Sequence, residues 1–256
     1  MKNVLITGTT SGIGKALAEK FASEKMNVIL VARDRKKLEQ QQSFLQNQYQ
    51  VKVNYILYDL TKEDAVDFII EQIKQWGIQI HILVNNAGFN ECGYFRNTDL
   101  RKELEMINLH IRFVTELSKR ILINMEENGY GRILNVGSTG SFIPSPTDAV
   151  YSATKAYIKS FSDALCGEYR KTDIRVSTLC PGATQTEFAI KANIDNTLLF
   201  KLAVMKPERV AEVAYSKMMK GKRIIIPGMY NKLLVAFSKI LPVSITNRVT
   251  LYMMNA

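Results

Sequence analysis

The sequence predicts one α/β domain: a doubly wound parallel sheet of about seven strands with helices on both faces. Three observations carry this. Seven short β-branched-rich apolar runs recur along 256 residues, near-continuous as strands covered on both faces must be. Longer stretches with helical spacing separate them, and such alternation implies right-handed crossovers between parallel strands. A hydrophobic fraction of 46% at this length is enough for one large core.

The elements follow in order. Val4–Ile6 is the first run, closed by glycines, and Ile13, Leu17 and Phe21 give the first helical face. Val28–Val31 and Val53–Leu57 are the next two runs, followed by a helical face of Ala65, Phe68, Ile69 and Ile73. After Ile80–Val84, one long face is read through Leu100, Leu104, Ile107, Ile111, Val114 and Leu117. Ile133–Val136, Val176–Leu179 and Ile224–Ile226 complete the strands. Two segments break the rhythm: a helical insertion at about 187–203, and a mostly apolar tail at 228–256 with three basic residues and no acidic one. The whole of 1–256 is read as one domain.

The formal net charge of +10 is unevenly placed. Residues 1–190 carry 23 basic and 21 acidic side chains, whereas 191–256 carry 11 and 3. No nucleic-acid-binding motif accompanies the charge, so a polyanion partner is not expected. Three widely spaced cysteines, Cys92, Cys166 and Cys180, fit reduced thiols better than disulfides. With two histidines only, no metal site is expected. No signal peptide and no membrane-spanning stretch is visible, so a cytoplasmic location is expected.

Thr7-Gly8-Thr9-Thr10-Ser11-Gly12-Ile13-Gly14 joins the first strand to the first helix. Glycines let the backbone approach a pyrophosphate, and the helix behind them offers free N–H groups and a positive dipole end. A dinucleotide is the expected cofactor. Where an acid after the second strand would select NAD, this chain reads Ala32-Arg33-Asp34. The Arg33 guanidinium suits a 2′-phosphate, which favours NADP. NAD stays open, because Asp34 could serve the ribose in a shifted register or else cap the helix.

Polar or glycine motifs follow three more strands: Asn85-Asn86-Ala87-Gly88, Gly137-Ser138-Thr139 and Pro181-Gly182-Ala183-Thr184-Gln185-Thr186. Strand ends of an open parallel sheet share one crevice, so these motifs converge there. Tyr151 and Lys155, four residues apart, share a helix face. A nearby ammonium favours a phenolate and makes the phenol a better acid/base.

These motifs, in this order, resemble the short-chain dehydrogenase/reductase family in its single-domain branch. The resemblance implies a Rossmann-type fold and hydride transfer between NAD(P) and a carbonyl or alcohol. It implies Tyr151 as acid/base, Lys155 as the residue that holds the nicotinamide ribose and lowers the phenol pKa, and Ser138 as hydrogen-bond donor to the substrate oxygen. Asn108 matches the asparagine that supports a proton-relay water. Gly8, Ser11, Gly12, Ile13 and Gly14 match the pyrophosphate loop, and Asp59 the residue beside the adenine. Asn85, Ala87 and Gly88 are expected on the adenosine side, and Pro181, Gly182, Thr184 and Thr186 near the nicotinamide and diphosphate. His81 stands where family members often carry an acid, and both it and His110 are read as structural or surface residues.

The insertion falls where the family places a substrate-covering helix. Its Phe188, Ile190, Ile194, Leu198, Leu199 and Phe200, with Phe142, Ile143 and Pro144, suggest a hydrophobic carbonyl substrate such as a 3-oxoacyl group, a steroid-like ketone or another ketone. The alternative is a non-catalytic NADP-sensing or scaffold protein on the same fold, against which Ser138, Tyr151 and Lys155 argue. A homo-oligomer is expected. The tail is read as pocket lid, subunit interface or membrane-surface contact, with membrane contact the least favoured of these.

Overall fold

The computed structural model describes residues 1–192, 194–201 and 204–255. Asn193, Leu202 and Ala203, within the expected covering insertion, lie outside the described residues, as do Ala256 and the side chains of Leu199, Lys201 and Asn255.

Seven parallel strands form one sheet: β1 (Asn3–Thr7), β2 (Asn27–Ala32), β3 (Val53–Leu57), β4 (Ile82–Asn85), β5 (Gly131–Val136), β6 (Ile174–Leu179) and β7 (Ile224–Ile225), in the order β3-β2-β1-β4-β5-β6-β7. The expected doubly wound architecture is the one observed. Successive side chains of β1 point to opposite faces, so Val4 and Ile6 enter one core and Leu5 the other. The first core packs α1 (Gly12–Ser23), α2 (Arg35–Tyr49) and α9 (Pro207–Met219) through Leu17, Phe21, Leu38, Leu45, Val210 and Met218. The second packs α3 (Ala65–Gln75) and α5 (Val114–Glu127) through Ile69, Ile73, Leu117 and Ile121, with Phe161 and Leu165 of α6 (Ala149–Glu168) against it. Burial on both faces explains the near-continuous apolar strands.

One expected helical face is corrected. Leu100, Leu104 and Ile107 of α4 (Leu100–Ile107) are exposed, while Glu103 and Met106 are buried. Glu103 escapes the cost of an unpaired buried carboxylate by accepting a hydrogen bond from Thr98 Oγ1 at 2.7 Å. A wide π-helical turn, Asn108–Phe113, separates α4 from α5, where Val114 and Leu117 do face the core. Phe68 is also more exposed than expected and stacks on Tyr58 at 4.3 Å.

The strand order reverses between β1 and β4, where a crevice opens at the strand ends. Short helices α7 (Glu187–Lys191) and α8 (Leu198–Lys201) lie in the insertion, and the tail folds as α10 (Met229–Ser238) and α11 (Val243–Asn255).

Candidate active site

A cavity of about 790 Å³ occupies this crevice, walled by the ends of β1, β2, β4, β5 and β6 and by the tail. Gly8 turns with φ +71° and donates its N–H to the Val31 carbonyl at 2.8 Å. Gly14 sits so close to the Gly8 carbonyl and to Asn86 Nδ2 that no Cβ fits there. This lets α1 start against the loop. No acidic side chain stands in the first turn of α1, so its positive end is left uncompensated by the protein. Gly8, Ser11, Gly12, Ile13 and Gly14 all line the cavity, a cradle that fits an anionic dinucleotide.

Arg33, exposed just past β2, lines the same cavity. Asp34 accepts from the Lys37 N–H at 3.1 Å and caps α2. Asp59 also lines the cavity. Burial pushes its carboxyl up, but hydrogen bonds from Thr61 and the nearby Arg33 charge outweigh this and hold it below the usual range.

The motif after β4 divides unexpectedly. Asn85 does not face the crevice. It is 4% exposed, and its Nδ2 donates to Asn135 Oδ1 at 2.8 Å and Ser118 Oγ at 3.0 Å, tying β4 to β5 and α5. Asn86, not singled out from sequence, is the cavity residue. Its Nδ2 donates to the carbonyls of Thr7 and Gly8 at 2.9 and 3.0 Å, and its own N–H and that of Ala87 both donate to Thr7 Oγ1 at 3.0 Å. The doublet was the available signal: strand alternation turns one asparagine inward and leaves the next at the strand end. Ala87, Gly88, Pro181, Gly182, Thr184 and Thr186 all line the cavity.

Ser138, past β5, caps a single 3₁₀ turn, its Oγ accepting from the Gly140 N–H at 3.1 Å. Tyr151 and Lys155 project from the first turns of α6 into the same cavity. Lys155 is 5% exposed, and its Nζ donates to the Val136 carbonyl at 2.9 Å and stands 5.6 Å from the centre of the Tyr151 ring. Burial lowers the ammonium to about 8. Burial raises the Tyr151 phenol well above its ordinary value, with the Ser138 hydroxyl pulling the other way and the Asp148 charge adding to the rise.

The Tyr151 ring is held between Phe188 of α7 and His110, with centroids at 5.8 and 6.1 Å. His110 is fully buried. Thr154 Oγ1 donates to the Tyr151 carbonyl at 2.8 Å and meets His110 Nδ1 at 2.9 Å, so the imidazole donates from Nδ1. His81 accepts at Nδ1 from the Asn3 N–H at 3.2 Å, at the opposite end of β4. Asn108 lies off the cavity wall. It opens the π turn, and its Nδ2 donates to the Thr61 carbonyl at 2.7 Å. Phe188, Ile194 and Phe200 of the insertion and Leu234, Phe237 and Met253 near the chain end wall the remaining space with apolar side chains.

A family described as short chain dehydrogenase matches residues 2–197. The human very-long-chain 3-oxoacyl-CoA reductase is 35% identical over 189 residues, 72% of this chain and 60% of that protein. The zebrafish (Danio rerio) 17-beta-hydroxysteroid dehydrogenase type 3 is 32% identical over 190 residues, 72% of this chain and 61% of that protein. The chain thus matches about three fifths of the length of these relatives. Among solved structures, a short-chain dehydrogenase from Sphingobium yanoikuyae in complex with NADPH superposes with a TM-score of 0.83 at 29% identity, covering 94% of this chain and 95% of that one.

Proposed function

This chain belongs to the short-chain dehydrogenase family, and on that premise we propose that it is an NADP(H)-dependent oxidoreductase moving hydride between nicotinamide and a carbonyl or secondary alcohol. The observation that carries the reading is the shared cavity. Ser138, Tyr151 and Lys155 stand on one wall, and the glycine loop with Arg33 stands on another.

Gly8, Ser11, Gly12, Ile13 and Gly14 would hold the pyrophosphate. Arg33 would pair with a 2′-phosphate, and Asp59 would lie beside the adenine. The capping role of Asp34 leaves the guanidinium as the charged group at the end of β2, which supports NADP over NAD. Ala87 and Gly88, with Pro181, Gly182, Thr184 and Thr186, would close around the rest of the dinucleotide.

A bound nicotinamide supplies or accepts the hydride. In reduction, Ser138 donates a hydrogen bond to the carbonyl oxygen, favouring the charge that develops there. Tyr151 then releases its proton to that oxygen. Burial keeps the phenol neutral at physiological pH, the state a proton donor needs, so the environment serves reduction. The Lys155 ammonium stabilises the phenolate left behind. Asn108 acts by position, fixing the π turn to the loop at Thr61.

The apolar wall from the insertion and tail supports a hydrophobic ketone, of the 3-oxoacyl or steroid-like kind that the relatives' names carry. Exposed Leu100, Leu104 and Ile107 on α4 support association with a second copy. Three free thiols support a reducing, cytoplasmic compartment.

The test follows NADPH absorbance across a 3-oxoacyl thioester, a steroid ketone and small ketones, with NADPH fluorescence as a separate binding readout. Tyr151→Phe should abolish turnover and leave NADPH binding intact. Full turnover by this variant overturns the role given to Tyr151, and NADPH binding without turnover of any ketone by the wild type overturns the reading in favour of a cofactor-sensing protein.

A further inference from the structure

We propose that the α10–α11 segment docks this protein on an anionic phospholipid bilayer, with the mouth of the cavity turned toward the membrane. About half of the exposed large apolar side chains among the described residues fall between Met229 and Tyr252. Ile240 is 80% exposed, Tyr252 68% and Val243 58%. Ile245, Val249 and Tyr252 lie on one stripe of α11 at i, i+4 and i+7. Such a concentration marks a contact surface.

Charge selects the occupant. Lys232, Lys239 and Arg248 are exposed along the segment, and residues 228–256 contain no Asp or Glu. Among the described residues, none of the three pairs with a carboxylate. A two-fold contact between copies sets the same patch against itself and opposes like charges. A bilayer with anionic headgroups takes both the apolar side chains and the cations. Among the described residues no helix is long and apolar enough to cross a membrane, so the segment lies in the interface plane.

The cavity fixes the orientation. Phe237, Leu241 and Val249 both line it and are exposed, so the rim of its mouth belongs to the same apolar surface. A lipid-borne ketone would then enter without crossing water. That consequence rests on the hydrophobic-substrate reading above, whereas the docking itself does not.

The test is flotation of the full chain with vesicles of phosphatidylcholine alone and of equimolar phosphatidylcholine and phosphatidylglycerol. The protein should float with the anionic vesicles and stay largely behind with the neutral ones. Lys232→Ala, Lys239→Ala and Arg248→Ala combined should lower that partition on the order of 100-fold, at about fivefold per cation. Ile240→Ser, Val243→Ser and Ile245→Ser combined, none of which lines the cavity, should also release it while circular dichroism and melting temperature stay unchanged. Absence of flotation, or equal flotation of folded variants, overturns the proposal. So does a wild-type dimer, seen by light scattering, that the serine variant splits into monomers without any change in vesicle binding. That result assigns the face to a second copy.

Discussion

Lys155 donates from Nζ to the Val136 carbonyl at 2.9 Å, tethering the ammonium one helical turn beyond Tyr151 to the end of β5. The bond joins α6, which carries the candidate proton donor, to the end of β5, two residues before Ser138. It also keeps a buried cation satisfied on at least one side.

That tether has a pH signature. Burial lowers the folded-state value of Lys155 to about 8, so the cation is present below that pH and lost above it. Tyr151, raised by burial, stays protonated across the same window. The kcat/KM of ketone reduction should therefore fall as pH rises through about 8. Lys155→Met should lower kcat by about 100-fold or more and remove that limb. A pH–rate profile of both proteins checks this, and a limb unchanged in the variant contradicts it.

Ser138→Ala removes a donor aimed at the oxygen where charge develops. The expected loss is about 10²-fold in kcat. NADPH affinity, measured by fluorescence titration, should stay within about twofold, because the Ser138 hydroxyl is assigned to the substrate. A large loss of NADPH affinity would place Ser138 in the cofactor site instead.

Arg33→Ala should raise the KM for NADPH by about 10- to 100-fold, the worth of a hydrogen-bonded charge pair. The KM for NADH should barely move. Initial rates with both cofactors decide it, and equal effects return the choice to NAD.

Asn86→Ala deletes both bonds to the Thr7 and Gly8 carbonyls. Leaving two partly buried acceptors unpaired should cost about 1–3 kcal/mol, read by denaturant unfolding. It should also loosen the glycine loop and weaken NADPH binding. Asn85→Ala should destabilise the fold while leaving the NADPH affinity of the folded fraction nearly unchanged, because its bonds run into the core.

Much of the architecture was legible because a doubly covered parallel sheet writes itself as repeated apolar runs, and glycine motifs mark where strands end. The illegible parts depend on tertiary neighbours. Leu100, Leu104 and Ile107 have helical spacing as regular as any core stripe, and only the packing of Met106 and Glu103 shows which side of α4 faces inward. Asn85 and Asn86 are chemically identical, and one residue of phase decides which faces the crevice. Asn108 matched by position, yet its side chain is committed to Thr61. The tail carried enough apolar residues for several roles. Only its folded path shows that Phe237, Leu241 and Val249 rim the cavity.

The strand order also governs how the chain is made. β1 pairs with β2 on one side and with β4 on the other. During synthesis, β1, β2 and β3 can associate as soon as they emerge, but the far edge of β1 stays open until Ile82–Asn85 arrives. An open edge is a template for pairing with other chains. The nascent N-terminal third therefore carries an unpaired β1 edge until β4 arrives. A ribosome stalled before β4 leaves behind a sticky fragment, whereas one stalled after it leaves a β1 already paired on both sides.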